Sequence, residues 1–281
     1  MIKIIECPRD AMQGWEHFIP TEKKIEYLNA LLEVGFDTLD FGSFVSAKAI
    51  PQLADTEQVL QQLNPNSSTK LLAIVANIRG VEKACIFDQI RYIGFPFSIS
   101  PTFQLRNTNS TIADSLITVA SLQELCVKHN KEAVIYISMG FGNPYGDAYT
   151  PALVAEWVEK IASYGIKIIS LSDTIGCSTP TNIDFLFKTL IPAFPSIEFG
   201  AHLHTTPDTW EEKIEAAIQA GCRRFDGALK GFGGCPMAAD QLTGNMPTEK
   251  MLDYFKQKQY NTGINELALQ NCLLQAQQLF I

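Results

Sequence analysis

The 281-residue chain has no run of eighteen apolar residues, so no membrane-spanning helix is expected. It has no G-x-G-x-x-G turn after an early strand, which argues against an open dinucleotide-binding sheet. Positive charge is in deficit. Lys and Arg number 22 against 30 Asp and Glu, a formal charge of −8 that argues against nucleic acid as a partner. The seven cysteines show no C-x-x-C spacing, and an odd, dispersed set fits a reducing compartment. Residues 1–6 read as a short strand rather than a signal or transit peptide, and the last three residues are no peroxisomal address. A cytoplasmic protein is expected.

What the chain has is alternation. Strand-like runs at residues 3–6, 38–41, 70–75, 90–93, 132–138, 166–171, 197–202 and 223–226 alternate with helical patterns, among them 21–34, 111–128, 151–164, 181–190 and 209–220. Thr150 and Pro151 open one helix in favourable order, a side-chain cap and then proline in the first turn. Gly35, Gly165 and Gly221 each stand between a helix and the next strand, where a left-handed residue ends the helix. Eight such units predict an α/β fold, a (β/α)8 TIM barrel. Residues 1–281 are expected to form one catalytic barrel domain, with 248–281 supplying two additional C-terminal helices at 248–258 and 264–279. An open doubly wound sheet is the alternative, but Gly231-Phe232-Gly233-Gly234 follows the last strand, too late for its phosphate turn.

Only four histidines occur, His17, His129, His202 and His204, and two of them form a His-x-His pair ending a strand. Residues i and i+2 of a strand share a face, so both imidazoles project toward one point. As core residues they would be costly, each needing hydrogen-bond partners; as metal ligands the spacing makes chemical sense. A barrel gathers its functional residues at the C-terminal strand ends, and the distinctive polar residues of this chain fall there. Arg9 and Asp10 follow strand 1, Asp40 ends strand 2, Asp173 follows strand 6, and Cys235 and Asn245 follow strand 8. Plainer readings exist: a surface turn for Arg9-Asp10, an N-cap for Asp173, a loop anchor for Asp40, a turn for Asn245. An arginine in a barrel centre nevertheless needs an anionic partner. Cys235, between paired glycines and Pro236, reads as a reactive thiol, while the other six cysteines read as small core residues.

Assembled, these stretches resemble the 3-hydroxy-3-methylglutaryl-CoA lyase family, over nearly the whole chain. The matching motifs are Cys7-Pro8-Arg9-Asp10-Ala11-Met12-Gln13, Asp40-Phe41-Gly42-Ser43-Phe44-Val45-Ser46-Ala47-Lys48, Ser172-Asp173-Thr174-Ile175-Gly176, His202-x-His204, Gly233-Gly234-Cys235-Pro236 and Gly244-Asn245. The resemblance implies a divalent cation, Mg2+ or Mn2+, on Asp10, His202, His204 and Asn245. It implies catalytic roles for Arg9, Asp10, Asp173 and Cys235, and substrate contacts at Gln13, Asp40, Ser43 and Lys48. An acyl-CoA substrate and a homodimer are expected. The sequence departs from the family pattern at Ala11-Met12, at Thr205 where an aspartate is usual, at Asp40 where a glutamate is usual, and over residues 100–106 near the acyl-CoA entrance. These departures bear on the acyl substrate more than on the cation.

The implied reaction cleaves a carbon–carbon bond of a 3-hydroxyacyl thioester to acetoacetate and acetyl-CoA. Arg9 would stabilise the enolate oxygen and Cys235 would protonate the carbanion, with Asp10, His202 and Asp173 as candidate bases. Other readings stay open: condensation of acetyl-CoA with a 2-oxo acid, aldol cleavage of a 4-hydroxy-2-oxo acid, or a catalytically inactive metal-binding barrel. Spacing alone leaves Zn2+ and Co2+ open as well.

Overall fold

The computed structural model describes residues 1–234 and 243–280. Among them, eight parallel strands alternate with helices: β1 (Lys3–Glu6), β2 (Thr38–Ser43), β3 (Lys70–Ile74), β4 (Ile90–Ser98), β5 (Glu132–Ser138), β6 (Ile168–Asp173), β7 (Glu198–Thr205) and β8 (Arg224–Gly227). Each pairs with the next and β8 pairs with β1, so the sheet closes on itself as a TIM barrel. A two-residue strand, β9 (Gly244–Asn245), adds antiparallel to β7. Cys235 lies outside the described residues.

The strands hold because their side chains alternate between two environments. Leu39, Phe41, Ile93, Phe95, Ile135, Ile137, Ile169, Leu171, Ala201, Leu203 and Phe225 point outward and join the large core beneath the helices. Each of these Leu, Ile and Phe side chains, fully buried, contributes roughly 1.5–3 kcal/mol. Inside the barrel, Leu72, Ile74, Tyr92, Val134, Tyr136 and Ile168 form a separate apolar cluster on one wall. The opposite wall is polar, with Asp40, His202, Arg224 and Asp226 at the inward positions of β2, β7 and β8. This division positions the site.

β4 and β7 outrun the sequence expectation furthest. β4 continues from Ile93 to Ser98 through Gly94 and Pro96, residues that read as strand breakers. In the barrel Gly94 relieves crowding, because a Cβ there would lie 2.5 Å from Ile74 Cδ1 and push that side chain aside. β7 continues to Thr205 because β9 supplies a partner for its last turn of backbone. Gly35 and Gly165, at φ +86° and +88°, end their helices in the left-handed conformation as expected. The C-terminal helices are Thr248–Gln257 and Glu266–Leu279, and the second packs on the helix Thr21–Leu32. Beyond it Phe280 contacts Phe232 and Trp15, at ring-centroid separations of 4.7 and 5.3 Å. No described helix is long and apolar enough to cross a membrane.

Candidate metal centre and active site

The segment after β1 is not a continued strand. Pro8 sits in the first turn of a short helix, Pro8–Gln13, which carries Arg9, Asp10 and Gln13 over the barrel mouth. The Arg9 guanidinium fans out over three partners. Its Nε and Nη2 reach Asp40 Oδ2 at 3.0 and 2.5 Å, while Nη1 donates to Asp10 Oδ1 at 2.8 Å and Gln13 Oε1 at 3.0 Å. The anionic partner expected for a central arginine is therefore Asp40, with Asp10 beside it. Burial opposes the positive charge, but these two carboxylates raise the Arg9 pKa above its ordinary value. Burial pushes Asp40 up to about 6 against the pull of Arg9, so it stays ionised at neutral pH.

His202 and His204 project from the inward face of β7, their ring centroids 5.3 Å apart. One ligand atom from each lies within 4.8 Å of the others and of an Asp10 oxygen. Asn245 joins them because β9 sets it opposite His204, and its Nδ2 donates to Asp10 Oδ2 at 2.9 Å. Burial raises the Asp10 pKa, but Arg9, the two imidazoles and the Asn245 hydrogen bond bring it down to about 2. For His204 burial and the neighbouring His202 lower the pKa to about 4, so the ring is neutral at pH 7. Both His204 nitrogens are buried with no hydrogen-bond partner. An imidazole stripped of partners beside an ionised carboxylate is costly unless something accepts its lone pair. A divalent cation on Asp10, His202, His204 and the amide oxygen of Asn245 answers that need, and the mixed N/O donor set suits one.

A second ring of side chains holds the first. Asp226 Oδ2 meets His202 Nδ1 at 3.1 Å, which leaves Nε2 as the ring's lone-pair atom. Burial lowers the His202 pKa, but the Asp226 hydrogen bond and charge carry it above its ordinary value. Asp173 ends β6 on the outward face, opposite in sense to Ser172. Its Oδ2 accepts from Lys213 Nζ at 2.8 Å and from the Ser178 hydroxyl and amide at 2.5 and 3.0 Å. Lys213 also donates to His204 O at 2.9 Å and Gly176 O at 3.0 Å. Asp173 thus connects to His204 through Lys213. Sequence reasoning passed over Asp226 although it ends an inward-facing strand. It had no signal for Lys213, which follows Glu211 and Glu212 in a helix and reads as a solvated residue.

Beside the cluster opens a cleft of about 270 Å3. Arg9, Asp10, Gln13, His202 and His204 form its polar end, and Val45, Ile50, Ile74, Pro96 and Phe103 are among its apolar walls. Of the expected substrate contacts, Gln13 lines the cleft. Asp40 lies behind Arg9. The Ser43 hydroxyl accepts from the Val45 amide and shapes the turn after β2. Lys48 is exposed on the loop whose Val45, Ala49 and Ile50 face the cleft.

A TIM barrel with this donor set at its strand ends defines an enzyme class, a barrel enzyme with a site for a divalent cation. The chain belongs to the HMGL-like family, whose model matches residues 2–273, and it is a carbon–carbon lyase. It is 31% identical to the hydroxymethylglutaryl-CoA lyase YngG of Bacillus subtilis, over 92% of this chain and 85% of that one. It is 29% identical to the (R)-citramalyl-CoA lyase of Chloroflexus aurantiacus, over 94% and 86%. An HMG-CoA lyase of Acinetobacter baumannii, solved in complex with coenzyme A and 3-methylmalate, superposes with a TM-score of 0.92 at 28% identity, covering 100% of this chain and 91% of that one. Lyases of this family are in general dependent on a divalent cation.

Proposed function

We propose that this lyase cleaves 3-hydroxy-3-methylglutaryl-CoA, or a close 3-hydroxyacyl-CoA, with Mg2+ or Mn2+ as its cation. The observation that carries the reading is the convergence of Asp10, His202, His204 and Asn245 beside Arg9 at the polar end of one cleft. The cation, when bound, supplies Lewis acidity that makes the substrate hydroxyl more acidic. The protein's own groups supply the rest. Arg9, held by Asp40 and permanently charged, stabilises oxygen-centred negative charge as the thioester departs as an enolate. Gln13 holds one edge of the guanidinium at 3.0 Å. The tertiary hydroxyl gives its proton to a base at the polar end of the cleft, for which Asp10 and His202 are the candidates. The C2–C3 bond breaks as C3 becomes a ketone, and the C2 carbanion takes a proton to complete acetyl-CoA. The family resemblance gives that last proton to Cys235.

The similarity to a citramalyl-CoA lyase supports a second substrate. The same bond cleavage would then release a 2-oxo acid. Purified protein with Mg2+ should be offered both thioesters, with acetoacetate, 2-oxo acid and acetyl-CoA measured. Acetoacetate formed from the first substrate supports the primary reading. Turnover of citramalyl-CoA alone replaces it, and turnover of neither thioester removes both.

A further inference from the structure

Below the metal centre the barrel holds a cation that the reaction does not use. Arg224 points inward from β8, two residues before Asp226, and is 1% exposed. None of its three guanidinium nitrogens has a hydrogen-bond partner. Glu198 Oε1 lies 3.5 Å from its Nη1, close enough for an ion pair but without hydrogen-bond alignment, and the Tyr92 ring centre is 5.7 Å from its Cζ. Gly200 lets the Arg224 stem pack close against β7, since a Cβ there would sit 3.2 Å from Arg224 Cδ and 3.1 Å from Ser170 Oγ. Around the guanidinium the Tyr136 hydroxyl, Ser170 Oγ and Asp226 Oδ1 are buried and equally without partners.

A guanidinium offers five N–H donors, and a protein interior does not leave five donors and three further polar atoms bare. A small buried space with polar atoms on several sides is where ordered water resides, each molecule making two to four hydrogen bonds. The carboxylates of Asp226 and Glu198 exclude an anion as the occupant. Residues i and i+2 of a strand stand roughly 7 Å apart on one face, a span that a long side chain and one water cover. Asp226 is also the acid acting most strongly on the Arg224 charge. Its other oxygen is the one that holds His202.

We propose that Arg224, Tyr136, Ser170 and Asp226 enclose ordered water beneath the metal centre, and that Arg224, through this water and Asp226, is a positioning residue for His202. The proposal rests on the metal-binding reading of Asp10, His202 and His204.

Mn2+ binding followed by electron paramagnetic resonance tests it without turnover. Asp226→Asn should weaken binding by ~10–100-fold, the range for a lost outer-sphere partner, and Arg224→Leu by about tenfold. The double variant should bind no more weakly than Asp226→Asn alone, because Arg224 acts through Asp226. Arg224→Met carries the same expectation if the leucine variant does not fold. Wild-type affinity in the Arg224 variants, or fully additive losses in the double variant, overturns the positioning role. A high-resolution crystal structure should show water bonded to both Arg224 and Asp226 Oδ1; a dry interior or a direct contact between the two overturns the enclosed water. Wild-type protein that binds no Mn2+ overturns the metal reading along with this proposal, whereas wild-type Mn2+ affinity in the Arg224 variants overturns only the latter.

Discussion

Lys213, on the helix Trp210–Gln219 outside the barrel, donates to the backbone oxygen of His204 at 2.9 Å while pairing with Asp173 at 2.8 Å. One buried ammonium thereby connects the end of β6 to the end of β7 that carries His202 and His204. Lys213→Met would leave the Asp173 carboxylate buried without its cation. A loss of about 3–5 kcal/mol is expected, read from urea unfolding. Lys213→Met combined with Asp173→Asn should recover part of that loss. A single variant as stable as wild type would mean that the pair carries no structural load.

His204 should reveal itself through the metal. Its nitrogens have no protein partner, so His204→Ala removes a ligand and breaks no hydrogen bond of its ring. The expected result is a loss of Mn2+ affinity exceeding the ~10–100-fold of an outer-sphere change, with a cation-free melting temperature equal to wild type or higher. Isothermal titration and thermal melts of the chelated protein check the two halves separately. Unchanged Mn2+ affinity would remove His204 from the donor set.

Arg9→Lys keeps the charge but loses the fork that spans Asp40, Asp10 and Gln13. A lost oxyanion-type donor costs on the order of 3 kcal/mol, so kcat should fall by ~10^2 or more with little change in KM. Steady-state kinetics within about twofold of wild type would leave Arg9 a structural residue.

Glu6 gives a dependence on pH. It is fully buried and accepts from the Leu229 amide at 2.8 Å and the Thr248 hydroxyl at 2.6 Å. Burial outweighs both bonds and raises its pKa from 4.5 to about 8. The folded protein therefore holds this proton more tightly than the unfolded chain does. Its contribution to stability is fully present below about pH 4.5 and declines as the pH rises toward 8. Glu6→Gln preserves the acceptor for Leu229 and removes the titration, so the fall in melting temperature between these values should flatten. Identical slopes in wild type and variant would show that Glu6 does not titrate in this range.

The barrel was legible because its signals are local: apolar strands, glycines at helix ends, and polar residues clustered at one set of strand ends. The His202–His204 pair was legible for the same reason, since a period of two is a property of one strand. What hid was whatever depends on two elements meeting. Lys213 looks solvated until its helix docks against β6 and β7, and Asp226 gains meaning only from its register opposite His202. Arg9 and Asp10 were placed at a strand end, but Pro8 turns the chain into a helix and swings them over the mouth. The strand expected at 90–93 runs on to Ser98 through Gly94 and Pro96, because its neighbours β3 and β5 continue to pair with it.

The two-sided interior has an electrical consequence. Hydrocarbon from Leu72, Ile74 and Val134 lines one wall and cannot reorient to damp the charges of Asp40, Arg224 and Asp226 on the other. A carbonyl seated between them would be polarised along one fixed direction, set by the fold before any substrate arrives. Its stretching frequency would report that direction as a vibrational Stark shift, and moderate salt outside the barrel would barely alter it.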